Sequence, residues 1–278
     1  MPNILVIGAT GNIGAQVVAQ LTDAGVPFRA MSRKPDAPVR GDLTAPESLD
    51  ACLDGVDAVF LVWTAPPEAV PAALDRITRR AKRIVFLSSP YKIPHPFFQQ
   101  PNPIRLLHAE IERRIETSGA EWTFLRPGML ASNARFWWAP QMRAGDVVRW
   151  PYLAVPTAPI DERDIAAVAV RALTEPGHAG AEYVLTGPQS LTQAEQIETI
   201  GRATGRALRL EEIPPEEALA ELAIIIPAPP AILKMLLDAW SAGLGHPAHV
   251  TSTVAQITGC PARTFFEWAS DHAADFRA

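Results

Sequence analysis

The chain has 278 residues, 48% of them hydrophobic, enough for one large α/β domain or a main domain with a smaller appendage. A net charge of -5, with acidic and basic residues interspersed and no basic run, argues against nucleic acid or an anionic membrane surface as partner. Two cysteines far apart in sequence, Cys52 and Cys260, leave no disulfide framework and read as reduced thiols of a cytoplasmic protein.

The first residues, "MPNILVIGATG", run from an apolar strand straight into a glycine turn without the basic segment of a signal peptide. Strand 3–9 is followed by helix 12–24, strand 28–32 ("FRAMS") and a helix near 46–54. Strands 57–63, 83–89 and 122–128 follow, separated by helices around 67–81 and 103–118. Runs rich in Val, Ile, Leu and Phe between amphipathic helices describe a parallel sheet covered on both faces, a doubly wound, Rossmann-like α/β fold. After residue 130 the pattern loosens, although "DERDIAAVAVRALT" (161–174) opens on acidic residues and carries a helical apolar stripe. The strand behind it, "EYVLT", is expected to return to the main sheet.

Prolines concentrate at 90–103, 151–159 and 214–230, where they stiffen loops. The most apolar stretch, 221–240, is broken by Pro227, Pro229 and Pro230 and carries Lys234, so it predicts two short helices covering a site, with proline hinges, rather than a membrane span. The expected division is a dinucleotide-binding core of 1–130 plus 160–186 and a smaller, discontinuous substrate-binding lobe of 131–159 plus 187–278.

"GATGNIG" sets Gly8, Gly11 and Gly14 between the first strand and the first helix. In that context the glycines allow a tight turn, close approach of backbone to a pyrophosphate, and close packing of helix on strand, with the helix N-terminus favouring negative charge. Where an acid would read the ribose 2′-hydroxyl at the end of the second strand, this chain has "AMSRKP". Ser32, Arg33 and Lys34 suit a 2′-phosphate, which predicts NADP(H) over NAD(H); a solvated basic turn is the alternative. The later helix "IRLLHAEIERRIETSG" (104–119) puts Ile104, His108, Ile111 and Ile115 on one face, with Glu110, Arg113, Arg114 and Glu116 pointing away.

Together with "RGDLTAPESLDACLDGVDAVFLV", "HAEIERRIETSGAEWTFLRPGMLASN", "IDERDIAAVAVRAL" and "ARTFFEWASDHAADF", the glycine turn resembles the NmrA-like branch of the atypical short-chain dehydrogenase/reductases. Bacterial quinone reductases and triphenylmethane reductases are the nearest functional types, and isoflavone-reductase-like enzymes are more distant. The resemblance implies that Thr10, Asn12 and Ile13 line the diphosphate turn and that Arg33 meets the 2′-phosphate. Asp42 and Leu43 would border the adenine, Trp63 and Thr64 would lie along the ribose, and Ser88 and Ser89 would stand beside the nicotinamide. Pro127, Gly128 and Met129 would pass under it, while Arg126 reads as a structural residue at the strand end.

Ordinary members of that superfamily carry a Tyr-x-x-x-Lys pair on the helix holding His108, and the matching positions here are Ile104 and His108. Tyr91 and Lys92 are adjacent in a proline-rich loop and cannot form that pair. The named reductases also lack it, since an already electrophilic acceptor needs positioning against NADPH more than a strong acid. His108 is the candidate proton donor, or else a half-buried histidine of the core. "SNARFWWAPQM" (132–142) opens the substrate pocket with Asn133, Phe136, Trp137 and Trp138, and Tyr91, His95, Phe97, Phe98, Trp150 and Tyr152 make its wall aromatic. Some of these aromatics would instead pack the small lobe.

The expected function is NADPH-dependent reduction of a flat conjugated small molecule, a quinonoid, polycyclic aromatic ketone or iminium, by a monomer or homodimer. An Ala-, Pro- and Arg-rich composition suggests a bacterial secondary-metabolism setting. Alternatives are an NADP-binding redox sensor without turnover, or a non-redox dehydration or rearrangement with His108 or His95 as base. No metal is expected: His178, His246 and His249 lack ligand spacing and read as surface residues.

Overall fold

Short aliphatic runs become the strands of one sheet, and the amphipathic stretches between them become its two helical covers. The computed structural model describes residues 2–34, 37–226 and 228–277. Its elements begin β1 (Ile4–Ile7), α1 (Asn12–Asp23), β2 (Phe28–Ser32), β3 (Val39–Arg40), α2 (Leu49–Cys52), β4 (Ala58–Val62), α3 (Val70–Arg80), β5 (Arg83–Leu87), α4 (Pro103–Glu116) and β6 (Glu121–Pro127). They continue α5 (Asn133–Trp137), α6 (Ala139–Ala144), β7 (Val147–Trp150), β8 (Pro156–Thr157), α7 (Glu162–Thr174), β9 (Ala181–Leu185), β10 (Leu191–Thr192) and α8 (Gln193–Thr204). Last come β11 (Arg209–Glu212), α9 (Pro215–Ile225), α10 (Pro230–Gly243), α11 (Thr253–Thr258) and α12 (Phe265–Asp271).

The main sheet has seven strands in the order β3-β2-β1-β4-β5-β6-β9, every neighbouring pair parallel. Strand order reverses between β1 and β4, so their C-terminal ends flank the crevice where doubly wound sheets bind ligands. Alternation along the strands sorts side chains to two covers. Leu5, Ile7, Val59 and Leu61 pack with Leu49, Leu74, Ile77, Ile111 and Ile115 of α2, α3 and α4. Ile4, Val6, Ala58 and Phe60 pack on the opposite face with Val17 and Leu21 of α1 and Ile165, Val168 and Ala169 of α7. Asp161 caps α7, accepting the backbone N–H of Arg163 at 2.8 Å, and Glu162 and Asp164 add the acidic first turn that favours a helix start.

The helix expected near 46–54 is a 3₁₀ turn over Pro46–Ser48 followed by the single turn α2. β3, two residues long, is too short to leave a pattern in the sequence. Beyond β6, β7 pairs with β11 and β8 with β10 in two small sheets. A third core there buries Trp138, Trp150, Trp240 and Trp268 completely or nearly so. Trp150 Nε1 donates to Gln193 Oε1 at 2.7 Å, giving that buried indole its partner. The apolar stretch 221–240 contributes to α9 and α10; Pro227, one of its expected breaks, lies outside the described residues. Among the described residues no helix is long and apolar enough to cross a membrane, and no group of His, Cys, Asp and Glu could hold a metal ion.

Candidate active site

At the end of β1 the chain turns through Gly8, whose φ of +86° suits glycine and whose hydrogen faces Val62; a Cβ there would lie 2.8 Å from Val62 Cβ. Gly14 lets α1 sit directly on that turn, since a Cβ would fall 2.1 Å from the Gly8 carbonyl oxygen. Gly11 caps α1 without a side-chain hydrogen bond, and no acidic residue occupies the first turn. The first-turn amides are thus left to an external anion. A cleft of about 200 Å³ opens beside them, lined by Gly8, Thr10, Gly11, Ser32, Arg33, Asp42, Leu43 and Thr64 among others. Asp42 accepts from the Thr44 backbone N–H at 2.9 Å and hydroxyl at 2.8 Å. The first of these, supported by the Thr44 hydroxyl and the charge of Arg33, holds its carboxyl below the usual range.

Three expected residues sit in α1 behind this lining: Asn12, whose Nδ2 donates to Ser132 Oγ at 3.4 Å, the buried Ile13, and Gly14. Trp63 departs from the expected ribose position: its indole lies in the core and donates to the Ala65 carbonyl at 2.7 Å, because the side chain at that register points to the α2–α3 cover. Thr64 faces the cleft instead.

A second space, about 300 Å³, lies at the C-terminal ends of β5 and β6, lined by Ser89, Tyr91, Phe97, Phe98, Gly128, Met129, Asn133 and Trp137, with Met235, Leu236 and Ala239 of α10 across from them. Gly128 and Met129, expected under the nicotinamide, and Tyr91, Asn133 and Trp137, expected at the substrate, therefore share one cavity. Pro127 ends β6 beside Leu185 of β9. Phe136 and Trp138 are not in the lining: Phe136 is 57% exposed and Trp138 fully buried. Successive residues of a helix point about 100° apart, so Phe136 and Trp137 of α5 cannot face one way, and Trp138, at the junction of α5 and α6, turns into the core. Trp150 is likewise core, and Tyr152 packs against the same cluster.

His95 belongs with His249, Thr157 and Thr186 to a much smaller space that adjoins the large one and shares Phe97, Phe98, Gly128 and Met129 with it. Its Nδ1 accepts the Phe97 N–H at 3.2 Å and its Nε2 faces the Pro247 carbonyl at 3.1 Å, so both nitrogens are used in holding the loop, and burial pushes its pKa down. His249, expected at the surface, lines that space, and His246 meets the His95 ring edge-on with centroids 6.0 Å apart.

His108 lies behind the large cavity rather than in its lining, edge-on to Phe86 with ring centroids 5.4 Å apart. Burial pushes its pKa down to about 4, and its Nδ1 has no partner among the described residues. Its pKa is held below the near-neutral range expected of a proton donor at this position, because a charged imidazole would lose its hydration there.

One turn further along α4 stands a group missed in the sequence. Glu112, 2% exposed, accepts from the Ser88 hydroxyl and the Tyr91 hydroxyl and pairs with Arg126, itself fully buried, at 2.7 Å. Arg126 also reaches Glu182 at 3.2 Å, which pairs at the surface with Lys92 at 2.6 Å. The Arg126 guanidinium carbon sits 4.7 Å from the centre of the Tyr91 ring. Burial, with Glu112 beside it, pushes Tyr91 up to about 12, so its phenol stays neutral and fixed. Ser88 is thereby an anchor of this network, whereas the buried Ser89 hydroxyl has no partner among the described residues and lines the cavity. The one available signal was the spacing of Glu112 four residues after His108, on the same helical face.

A parallel sheet reversing beside a glycine turn, with anion-ready amides at its mouth, defines a dinucleotide-binding protein of the doubly wound class. The model of a family described as NAD(P)H-binding matches residues 8–176, and the chain belongs to that family. It is similar to a (4-alkanoyl-5-oxo-2,5-dihydrofuran-3-yl)methyl phosphate reductase of Streptomyces griseus, 38% identical over 98% of this chain and 99% of the relative. It is also similar to an NAD(P)H azoreductase of Xenophilus azovorans, 37% identical over 99% of each. The structure of an NADPH-dependent quinone oxidoreductase of Escherichia coli in complex with NADPH has the same fold, with a TM-score of 0.80 at 23% identity over 97% of this chain and 99% of that one. The chain is an NAD(P)H-binding oxidoreductase.

Proposed function

We propose that the protein is an NADPH-dependent reductase of a flat, conjugated small molecule: a quinonoid, a polycyclic aromatic ketone or an iminium. The observation that carries this reading is the roomy cavity of Tyr91, Phe97, Phe98, Met129 and Trp137, which opens at the C-terminal edge of the sheet, the edge that also carries the dinucleotide cleft. Aromatic walls stack on planar acceptors and exclude water from them. The relatives named for azo and quinone reduction support an acceptor of this kind. A place in secondary metabolism belongs to the same proposal.

In the cleft, Gly8, Gly11 and the first turn of α1 would hold the pyrophosphate, Asp42, Leu43 and Thr64 the adenosine, and Arg33 the 2′-phosphate. The bound nicotinamide supplies hydride. The chain's own residues shape the cavity and keep water out of it. Neither the neutral His108 nor the pinned Tyr91 is assigned as an acid, which fits acceptors that are already electrophilic.

The test is titration with NADPH and NADH, followed by turnover with quinones, triphenylmethane dyes and conjugated imines. We expect NADPH to bind more tightly and to be oxidised by members of the panel. Arg33→Ala should cut the NADPH preference about tenfold or more, the loss expected for one charge-assisted phosphate contact. Tight binding with no oxidation across the panel would overturn the reductase reading, and an unchanged preference in the variant would overturn the role of Arg33.

A further inference from the structure

The cations flanking Tyr91 are otherwise paired: Lys92, its neighbour in the chain, with Glu182, and the buried Arg126 with Glu112. Arg105 is different. Among the described residues no carboxylate pairs with its guanidinium, and it is the one charged side chain in the cavity lining. Its guanidinium carbon stands over the Tyr91 ring, 5.8 Å from the centroid, and that ring is held from behind by Glu112 and Arg126. Arg105 is also in the first turn of α4, which carries no acid, and a cation there opposes the helix dipole. Beyond the Tyr91 ring the fold gives this guanidinium no partner among the described residues, whereas a ligand anion would.

We propose that Arg105 is a specificity residue that selects acceptors carrying an anionic substituent, a sulfonate, carboxylate or phosphate, on their conjugated frame. The apolar wall of Phe97, Phe98, Trp137 and Leu236 would take the rings, and the guanidinium would take the anion at the α4 end, with the fork geometry that suits oxyanions. The inference rests on the large cavity being the acceptor site. It narrows the substrate class, since apolar walls alone would favour a neutral conjugated molecule over a charged one.

The test uses two fluorescent probes that differ by one group, 8-anilinonaphthalene-1-sulfonate and N-phenyl-1-naphthylamine, titrated into protein saturated with NADP⁺ so that the dinucleotide cleft is not available to them. Arg105→Ala should weaken the sulfonated probe about tenfold while the neutral probe stays within about twofold, and Arg105→Lys should retain most of the anionic binding. Equal weakening of both probes, or no change in either, would overturn the proposal. Binding is read here without turnover, so a catalytically silent acceptor panel would remove the reductase reading and leave this one standing. Unchanged probe selectivity would do the reverse.

Discussion

His108 lies on the face of α4 that packs toward Phe86, and burial pushes its pKa down to about 4 from the ordinary 6.5. The unfolded chain takes up that proton at the ordinary value. Between pH 6.5 and 4 the unfolded state thus binds more protons, and this contribution to stability, complete above 6.5, is lost as the pH falls. We predict that His108→Gln flattens this loss. Between pH 7.5 and 4.5, urea unfolding of the wild type should lose on the order of 2–3 kcal/mol more than the variant does. Parallel pH profiles would contradict the buried, neutral imidazole. Residue by residue, the sequence showed which types were present but not which way each faced: the strand-end position of Trp63 was visible, and its burial depended on packing against α2 and α3.

The β1–α1 unit was the most legible element because its glycines act on neighbours a few residues away. The turn at Gly8 and the close approach at Gly14 are local demands of backbone geometry. Gly14→Ala should force α1 away from the turn, lowering stability by about 1–3 kcal/mol by denaturant midpoint and weakening NADPH binding in a fluorescence titration. Unimpaired NADPH affinity would show that the turn does not hold the dinucleotide. The α4–β6 pair was far less legible. Glu112 and Arg126 are fourteen residues apart, and Tyr91 enters from a third segment, so only tertiary structure brings them together. A buried acid reads in sequence as one more polar residue of an amphipathic helix. Losing it would take from a fully buried guanidinium its buried counter-charge and leave it only the half-exposed Glu182 at 3.2 Å.

At the scale of the molecule, two sheet-covering cores support one edge, and the third core, rich in tryptophan, carries the far wall of the cavity. The alternation of strand and helix made the main sheet readable, including the return of β9 beside β6. The aromatic wealth of the segments after β6 was equally visible, but it divides among surface, cavity and core, as Phe136, Trp137 and Trp138 show in turn. In the proposed function, hydride passes directly to a conjugated molecule held in that cavity. NADPH deuterated at the transferring C4 position, mixed with a triphenylmethane dye or conjugated imine under single-turnover conditions, tests it most directly. We expect the dinucleotide to be oxidised and the reduced product to gain one deuterium at the carbon that accepts hydride. Oxidation without deuterium in the product, or no oxidation by any conjugated acceptor offered, would contradict it.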